Sequence, residues 1–199
     1  MSRKVVAIVG SYRKDGAIDN TVKAVLEAAR ERGAETETVY LTEQHIEFCR
    51  NCRECMQAAG EERGKCAQPD DLEPILNAIG NADAIVLAAP VNFYNVTAIF
   101  RRFLERLVGF GYWPWGQNSP RLRSKSRPRK ALLVTSAAVP AFLIPFATGA
   151  PRALRNAAMM LGARPVASLW IGLAARAPHV PLSPRTLRRA RRAGWKLAA

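Results

Sequence analysis

The stretch "PDDLEPILNAIGNADAIVLAAP", from Pro69 to Pro90 of this 199-residue chain, has the pattern of a helix followed by a buried strand. Its first apolar residues recur at the spacing of one helix face, at Leu72, Ile75, Leu76 and Ile79. Asp70 with Glu73 is placed to cap the start of that helix. Residues 84–88, "AIVLA", then follow without a polar side chain, as in a strand buried on both faces. A helix leading into such a strand is the repeating unit of a parallel sheet.

The same alternation extends along the chain. Strands are predicted at residues 4–9, 35–41, 84–88, 131–135 and 165–172, with helices between them, so we expect a five-stranded, doubly wound parallel α/β sheet. Residues 1–175 are predicted to form this domain and residues 176–199 a basic C-terminal tail helix. The uncharged residues 131–150 are long enough to span a membrane, but Pro140 and Pro145 interrupt them. We interpret them as a buried strand followed by an apolar loop, with no membrane span.

The net charge of +14 is concentrated in two places. Residues 121–130 and 185–196 each hold six basic residues and no acid. The pattern favours a solvated loop and helix, or attraction of an anionic partner, over nucleic-acid binding, because aromatic residues that would stack on bases do not alternate with the charges. The apolar run in "MSRKVVAIVGS" is too short for a secretory signal, so we expect a cytoplasmic protein.

Ligands of such a sheet bind at the carboxyl ends of the strands. The candidate binding loops are therefore residues 10–20, 90–95 and 136–149. The first loop, "GSYRKDGAIDNT", lacks both G-x-G-x-x-G and the ATPase loop pattern, yet it leads into a helix N-terminus suited to a phosphate. Ser11, Asn20 and Thr21 can add donors there, and Arg13 or Lys14 a charge. In the second loop, Phe93 and Tyr94 can form a flat apolar wall for a planar ligand.

All four cysteines lie in residues 46–71, as Cys49-x2-Cys52-x2-Cys55 with Cys66 ten residues further on. Three closely spaced sulfurs are typical of thiolate coordination. An iron–sulfur cluster, a zinc ion and free or redox-reversible thiols all remain open, whereas a disulfide framework does not suit a reducing compartment.

In chain order, "GSYRKDGAIDNT", "FCRNCRECM" and "APVNFYNVTAIFRRFLERL" resemble segments of the flavodoxin-like NADPH-dependent FMN reductase superfamily, and within it the iron–sulfur flavoprotein group. The resemblance covers about residues 4–175 and implies the strand order 2-1-3-4-5. It also implies an FMN phosphate site at Ser11, Arg13, Asn20 and Thr21. The isoalloxazine would be lined by Pro90, Val91, Asn92, Phe93 and Tyr94, with Ser136 in the third loop. A [4Fe–4S] cluster would be held by Cys49, Cys52, Cys55 and Cys66.

The function implied is a flavoprotein oxidoreductase that moves electrons from NAD(P)H through FMN, with or without a cluster, to an unknown acceptor. The alternatives are a flavin-binding electron carrier without its own NAD(P)H step, and a non-redox module that uses the cysteines and basic tail for metal or nucleic acid. The family often forms dimers or higher homo-oligomers. Residues 139–146 suit either the interface of such an assembly or a wall of the pocket. The sequence departs from the family's pattern at Tyr12 and Asn92, in extra residues between Gly16 and Thr21, and in the ten-residue gap before Cys66.

Overall fold

The structure, a computed structural model, describes residues 2–176 and 181–199. The strands are β1 (Lys4–Val9), β2 (Glu35–Tyr40), β3 (Ala84–Ala88), β4 (Val91–Asn92), β5 (Asn95–Val96), β6 (Gly111–Tyr112), β7 (Arg121–Leu122), β8 (Arg129–Ser136) and β9 (Ala163–Ile171). The helices are α1 (Ala17–Arg30), α2 (Leu72–Gly80), α3 (Ala98–Glu105), α4 (Ile144–Ala147), α5 (Ala150–Met160) and α6 (Pro184–Ala198).

Five strands form one parallel sheet in the order β2-β1-β3-β8-β9. Counted among the five predicted strands, this is the order 2-1-3-4-5, so the predicted topology is confirmed. Helices α1 and α6 pack on one face of the sheet, and α2, α3 and α5 pack on the other. β1 and β3 are buried on both faces, which explains their nearly continuous apolar sequence.

The predicted element boundaries hold closely, with differences that long-range contacts explain. Helix α3 ends at Glu105, and the chain continues as a 3₁₀ helix, Arg106–Phe110. Within that segment Gly109 lies against Gly64, whose N–H donates to the Gly109 carbonyl at 2.8 Å. Only one half of the predicted N-terminal cap of α2 forms. Asp70 accepts from the N–H of Leu72 at 3.1 Å, but Glu73 pairs with Arg63.

The apolar segment 131–150 begins with the buried strand β8, as predicted. The rest is a 3₁₀ turn, Ala141–Leu143, followed by the short helix α4, where a plain loop was expected. Among the residues that the structure describes, no helix has the length and apolar character that crossing a bilayer requires.

The basic residues have definite contacts in the structure. Arg123 donates to the carbonyls of Cys55, Ala58 and Gly109, and Arg129 donates to carbonyls at the ends of α2 and α5. In α6, Ala190, Ala193 and Leu197 are buried in the same cluster as β1 and β3. The basic C-terminal segment therefore packs on the sheet through its small apolar side chains and turns its arginines outward.

Candidate functional site

A cavity of about 330 Å³ opens at the carboxyl edge of the sheet. It is lined by residues 11–13 and 16–18 after β1, 90–92 and 97 after β3, 136–138 after β8, and 174–175 after β9. These loops meet because the carboxyl ends of parallel strands lie along one edge. The volume lies within the range of small-molecule sites in proteins.

One end of the cavity is suited to an anion. Helix α1 starts there, and Gly16, the residue before it, has no side chain to cap the free N–H groups of the first turn. Those N–H groups and the positive end of the helix dipole favour a negatively charged ligand. Arg13 lines the same end of the cavity, and its N–H donates to Ser11 Oγ at 3.2 Å, which fixes the turn between them.

The carboxylate of Asp19, in the first turn of α1, is directed away from this anion site. It is buried and accepts hydrogen bonds from Asp15 N–H at 2.8 Å and from the Tyr40 hydroxyl at 2.7 Å, and it pairs with Lys23 at 3.0 Å. Burial by itself would raise the pKa of Asp19, but these donors outweigh it and hold the pKa below its usual value. The negative charge is thereby neutralised inside the fold.

The structure does not bring Asn20 and Thr21 to the cavity, in contrast to the phosphate-binding role that the sequence predicted for them. Asn20 Nδ2 donates to the carbonyl of Asp15 at 2.9 Å. Thr21 is fully buried and its hydroxyl donates to the carbonyl of Ala17 at 2.6 Å. Because α1 starts at Ala17, both residues lie in its second turn, where they stabilise the loop and the helix.

The other end of the cavity is formed by Pro90, Val91, Asn92 and Ser136, as predicted for a ligand at the strand ends. Phe93 and Tyr94 do not line it. They occupy the two turn positions of the β4–β5 hairpin at φ of 46° and 63°, values that non-glycine residues rarely adopt. Their rings are 93% and 72% exposed and project into solvent.

Two threonine hydroxyls join the loops around the cavity. Thr97 donates to the carbonyl of Gly10 and Thr135 donates to that of Ala89, each at 2.6 Å. Gly10 is required at its position because a Cβ there would lie 2.7 Å from the Cβ of Phe100. These buried bonds connect the ends of β1, β3 and β8 and give the cavity a rigid floor.

The sequence reasoning missed several lining residues: Tyr12, Gly16, Ala17, Ile18, Thr97, Ala137, Ala138, Ala174 and Ala175. The pair Ala174–Ala175 follows the fifth strand of the sheet. The rule that located the other loops would therefore have found this pair if it had been applied to β9. Tyr12 carried no comparable signal, since its place depends on a contact with α3, where its hydroxyl accepts from Ile99 N–H at 3.2 Å.

The cysteine segment, residues 46–71, connects β2 to α2 and contains one 3₁₀ turn, Glu54–Met56. Its C-terminal end is joined to the 3₁₀ helix Arg106–Phe110 by a buried ion pair between Arg106 and Asp70, whose closest atoms lie 2.5 Å apart. Arg106 also donates to the carbonyl of Glu47 at 2.7 Å and to Cys66 Sγ at 3.3 Å. Burial opposes ionisation of Asp70, but the hydrogen bonds from Arg106, Glu47 N–H and Leu72 N–H lower its pKa.

A second arginine fixes the middle of the segment. The guanidinium of Arg53 stacks between two indole rings, 3.9 Å from the centroid of Trp113 and 4.1 Å from that of Trp115. It also donates to the carbonyl of Trp113 at 2.6 Å. The loop "GYWPWG", residues 111–116, therefore packs on Arg53 in the middle of the cysteine segment.

The four thiols are neighbours, but their sulfurs do not converge on one point. Burial raises the pKa of Cys55, and the charges of Cys66, Cys49 and Cys52 raise it further, so all three lie within electrostatic reach of it. In the described part of the chain no three His, Cys, Asp or Glu side chains lie close enough together to hold a metal ion. All four cysteines are free thiols. Iron–sulfur and zinc centres both use thiolate donors, but the described residues do not place three of these thiols within reach of one metal ion.

The fold and the cavity define a flavodoxin-like α/β protein with a ligand site at the carboxyl edge of the sheet. A profile of the NADPH-dependent FMN reductase family matches residues 3–174. The chain belongs to that family.

Proteins that are similar to this chain in sequence include iron–sulfur flavoproteins. The chain is 33% identical over 111 residues to an iron–sulfur flavoprotein of Archaeoglobus fulgidus, a match that covers 56% of this chain and 48% of that protein. It is 36% identical over 103 residues to one of Methanocaldococcus jannaschii, covering 52% and 51% respectively. The chain thus spans about half the length of the curated relatives it matches.

Solved structures share the fold. An FMN-dependent NADH-azoreductase of Bacillus anthracis, in complex with FMN, superposes with a TM-score of 0.72 at 12% identity over the full length of both chains. An NAD(P)H:quinone oxidoreductase of Methanothermobacter marburgensis superposes with a TM-score of 0.67 at 21% identity, covering 99% of this chain and 98% of that one.

Proposed function

We propose that this protein is an oxidoreductase that binds FMN in the strand-end cavity and moves electrons from NAD(P)H to an acceptor. The observation that carries the proposal is the cavity itself, which joins an uncapped helix N-terminus and Arg13 at one end to the loop Pro90–Asn92 at the other. That pairing suits a ligand with a phosphate at one end and a flat ring at the other.

When bound, FMN supplies the redox chemistry, since its ring exchanges a hydride with nicotinamide and passes electrons onward. The residues of the chain would bind and orient it. Arg13 and the first turn of α1 would hold the phosphate, and the backbone of residues 90–92 with Ser136 would contact the ring. Thr97 and Thr135 would keep these loops at fixed spacing through their buried hydrogen bonds.

The test is an FMN titration of the purified protein, followed by NADH and NADPH oxidation with a quinone and an azo dye as acceptors. Ala174→Trp fills the cavity and should abolish FMN binding, whereas Ala199→Trp, an exposed terminal position, should bind FMN as the unchanged protein does. A protein that binds FMN but is not reduced by either nucleotide would instead be an electron carrier. A protein that binds no FMN and is retained on nucleic acid in a salt-sensitive way would overturn the proposal.

We also propose that Cys49, Cys52, Cys55 and Cys66 hold a [4Fe–4S] cluster, in a reducing compartment that keeps the thiols free. Support comes from the spacing of the four cysteines in the sequence and from the names of the curated relatives. Iron and acid-labile sulfide should be assayed on anaerobically purified protein and on the four single Cys→Ser variants. About four irons per chain, lost in each variant, is the expected result. Zinc, or no metal, would contradict it.

We further propose a homo-oligomer formed through the exposed aromatic residues beside the cavity. Phe142 and Phe146 are 72% and 87% exposed, and the neighbouring hairpin presents Phe93. The N–H of Gly149 donates to the Tyr94 carbonyl at 2.8 Å, so the two loops lie side by side. Light scattering should give a dimer or larger assembly that dissociates in the Phe146→Ser variant. Phe48→Ser, which removes an exposed ring elsewhere, should leave the assembly intact.

A further inference from the structure

We propose that a recess beside the flavin cavity binds the adenosine 2′-phosphate of NADPH, and that Arg185 and Arg189 thereby make the protein prefer NADPH to NADH. The inference rests on the proposed function and names which of the two nucleotides the site takes. The recess lies against helix α6, which begins at Pro184, whereas the family profile ends at residue 174. The family match therefore does not supply this site.

The recess has a volume of about 550 Å³, within the range of small-molecule sites. It is lined by the turn at residues 140–142, by the end of strand β9 at residues 170–173, and by the first two turns of α6. Because β9 is the edge strand of the sheet, the recess reaches around that edge. The space can therefore hold a part of a nucleotide that extends beyond the flavin cavity.

The recess and the flavin cavity are neighbours along one strip of backbone. Residues 172–173 line the recess, and residues 174–175, which follow directly, line the cavity. Consecutive Cα atoms are only about 3.8 Å apart, so the two spaces adjoin. The N–H of Leu173 donates to the Val139 carbonyl at 3.1 Å and fixes the strip between them. One dinucleotide can therefore place its nicotinamide at the cavity and its adenosine in the recess.

The walls of the recess suit an adenine ring. The indole of Trp170 lines it and is half-buried, and a base stacks on such a ring through its flat face. Gly172 allows the turn at residues 140–142 to lie against the end of β9, since a Cβ there would be 2.2 Å from the backbone nitrogen of Ala141. The flat wall therefore lies in a closely packed part of the fold.

The charge of the recess favours a phosphate. Arg185 and Arg189 lie about one turn apart on α6, line the recess and are exposed. A guanidinium binds phosphate through paired N–H donors, and an arginine near the ribose accommodates the 2′-phosphate in NADP-binding proteins. No Asp or Glu occurs after Glu105 in the sequence, so none of the segments that line the recess carries an acidic side chain. In contrast, Arg191 of the same helix pairs with Glu31 at 2.8 Å.

The test variants are Arg185→Ala and Arg189→Ala, made separately and together. Each should lower kcat/KM for NADPH by at least about tenfold, the effect of losing a hydrogen bond to a charged group, and should leave NADH unaffected. The kcat with NADPH should not change, because the 2′-phosphate contributes to binding and not to the reaction. The double variant should use both nucleotides about equally.

The matched control is Arg188→Ala. It removes the same charge from an exposed position of the same helix, and its side chain does not line the recess. Its kcat/KM values for NADPH and NADH should match those of the unchanged protein.

A binding measurement without turnover completes the test. Adenosine 2′,5′-bisphosphate, titrated calorimetrically into the FMN-loaded protein, should bind more tightly than adenosine 5′-monophosphate. Its affinity should fall in the Arg185 and Arg189 variants and stay the same in Arg188→Ala. Equal affinities of the two compounds for the unchanged protein would overturn the 2′-phosphate site.

The kinetic outcomes separate this inference from the function on which it rests. FMN-loaded protein that oxidises neither nucleotide would overturn the nicotinamide step of the proposed function and this preference together. Equal kcat/KM values for NADPH and NADH would overturn this inference alone. An equal loss in Arg188→Ala would also overturn it, because the net charge of α6 would then be enough. If Arg189→Ala, which loses a 3.4 Å hydrogen bond to the Ser168 carbonyl, fails to fold, Arg185→Ala decides by the same ratio.

Discussion

The hydroxyl of Tyr40 donates a 2.7 Å hydrogen bond to the buried carboxylate of Asp19, and so joins the end of β2 to the first turn of α1. This bond stabilises the helix start that forms the anion end of the cavity. Burial and the bond to Asp19 raise the pKa of Tyr40 to about 12.

We predict that Tyr40→Phe lowers the free energy of unfolding by about 2 kcal/mol at pH 7, because Asp19 loses a donor in a buried site. A raised pKa in the folded state contributes stability below the unfolded value of about 10 and loses it as the pH rises towards 12. The advantage of the unchanged protein over the variant should therefore shrink by about 1.4 kcal/mol at pH 11. Urea unfolding at both pH values measures this. Tyr94→Phe, at an exposed ring, should show neither effect.

Arg13 lines the anion end of the cavity, whereas the next residue, Lys14, pairs with Glu43 outside it. We predict that Arg13→Ala weakens FMN binding about 10- to 100-fold, the range for a lost hydrogen bond to a charged group. Lys14→Ala should bind FMN like the unchanged protein. Fluorescence titration measures both affinities, and an equal loss in the two variants would mean that only the net charge of the loop matters.

Gly194 allows α6 to pack closely on α1. A Cβ there would lie 2.1 Å from the carbonyl oxygen of Val25. We predict that Gly194→Ala lowers the free energy of unfolding by about 3 kcal/mol, since backbone atoms must move apart. Hydrogen exchange should increase in residues 184–198. The matched control is Gly80→Ala, at the exposed end of α2 with open space around it, which should be neutral or slightly stabilising.

Arg53 stacks between Trp113 and Trp115, and so we predict that Arg53→Ala loosens the cysteine segment. The loss of two cation–π contacts and a hydrogen bond should cost about 2 kcal/mol of local stability. Limited proteolysis and hydrogen exchange within residues 46–71 should both become faster. Arg50→Ala removes an exposed arginine from the same segment and should change neither rate. Equal rates in the two variants would contradict the role of the stacking.

Local sequence patterns predicted the layers of the fold and several of the loops that line the cavity. β1 and β3 were predicted to the residue because an uninterrupted apolar run of that length suits a strand buried on both faces. The same local pattern located Ser11, Arg13, Pro90–Asn92 and Ser136 at the carboxyl edge, since the direction of parallel strands fixes where their loops meet. Hydrophobic periodicity depends only on residues that are neighbours in the chain, so a single sequence shows it.

Which side chains face the cavity, and which contact the cysteine segment, depends on the packing of distant elements. Phe93 and Tyr94 turn outward because both occupy the positive-φ positions of a hairpin, and Thr21 is used within α1. The contact of Arg106 with Cys66 joins residues forty positions apart in the chain. Such contacts depend on how separate elements pack, and the energy of a buried ion pair or a stacked guanidinium exists only once those elements have met.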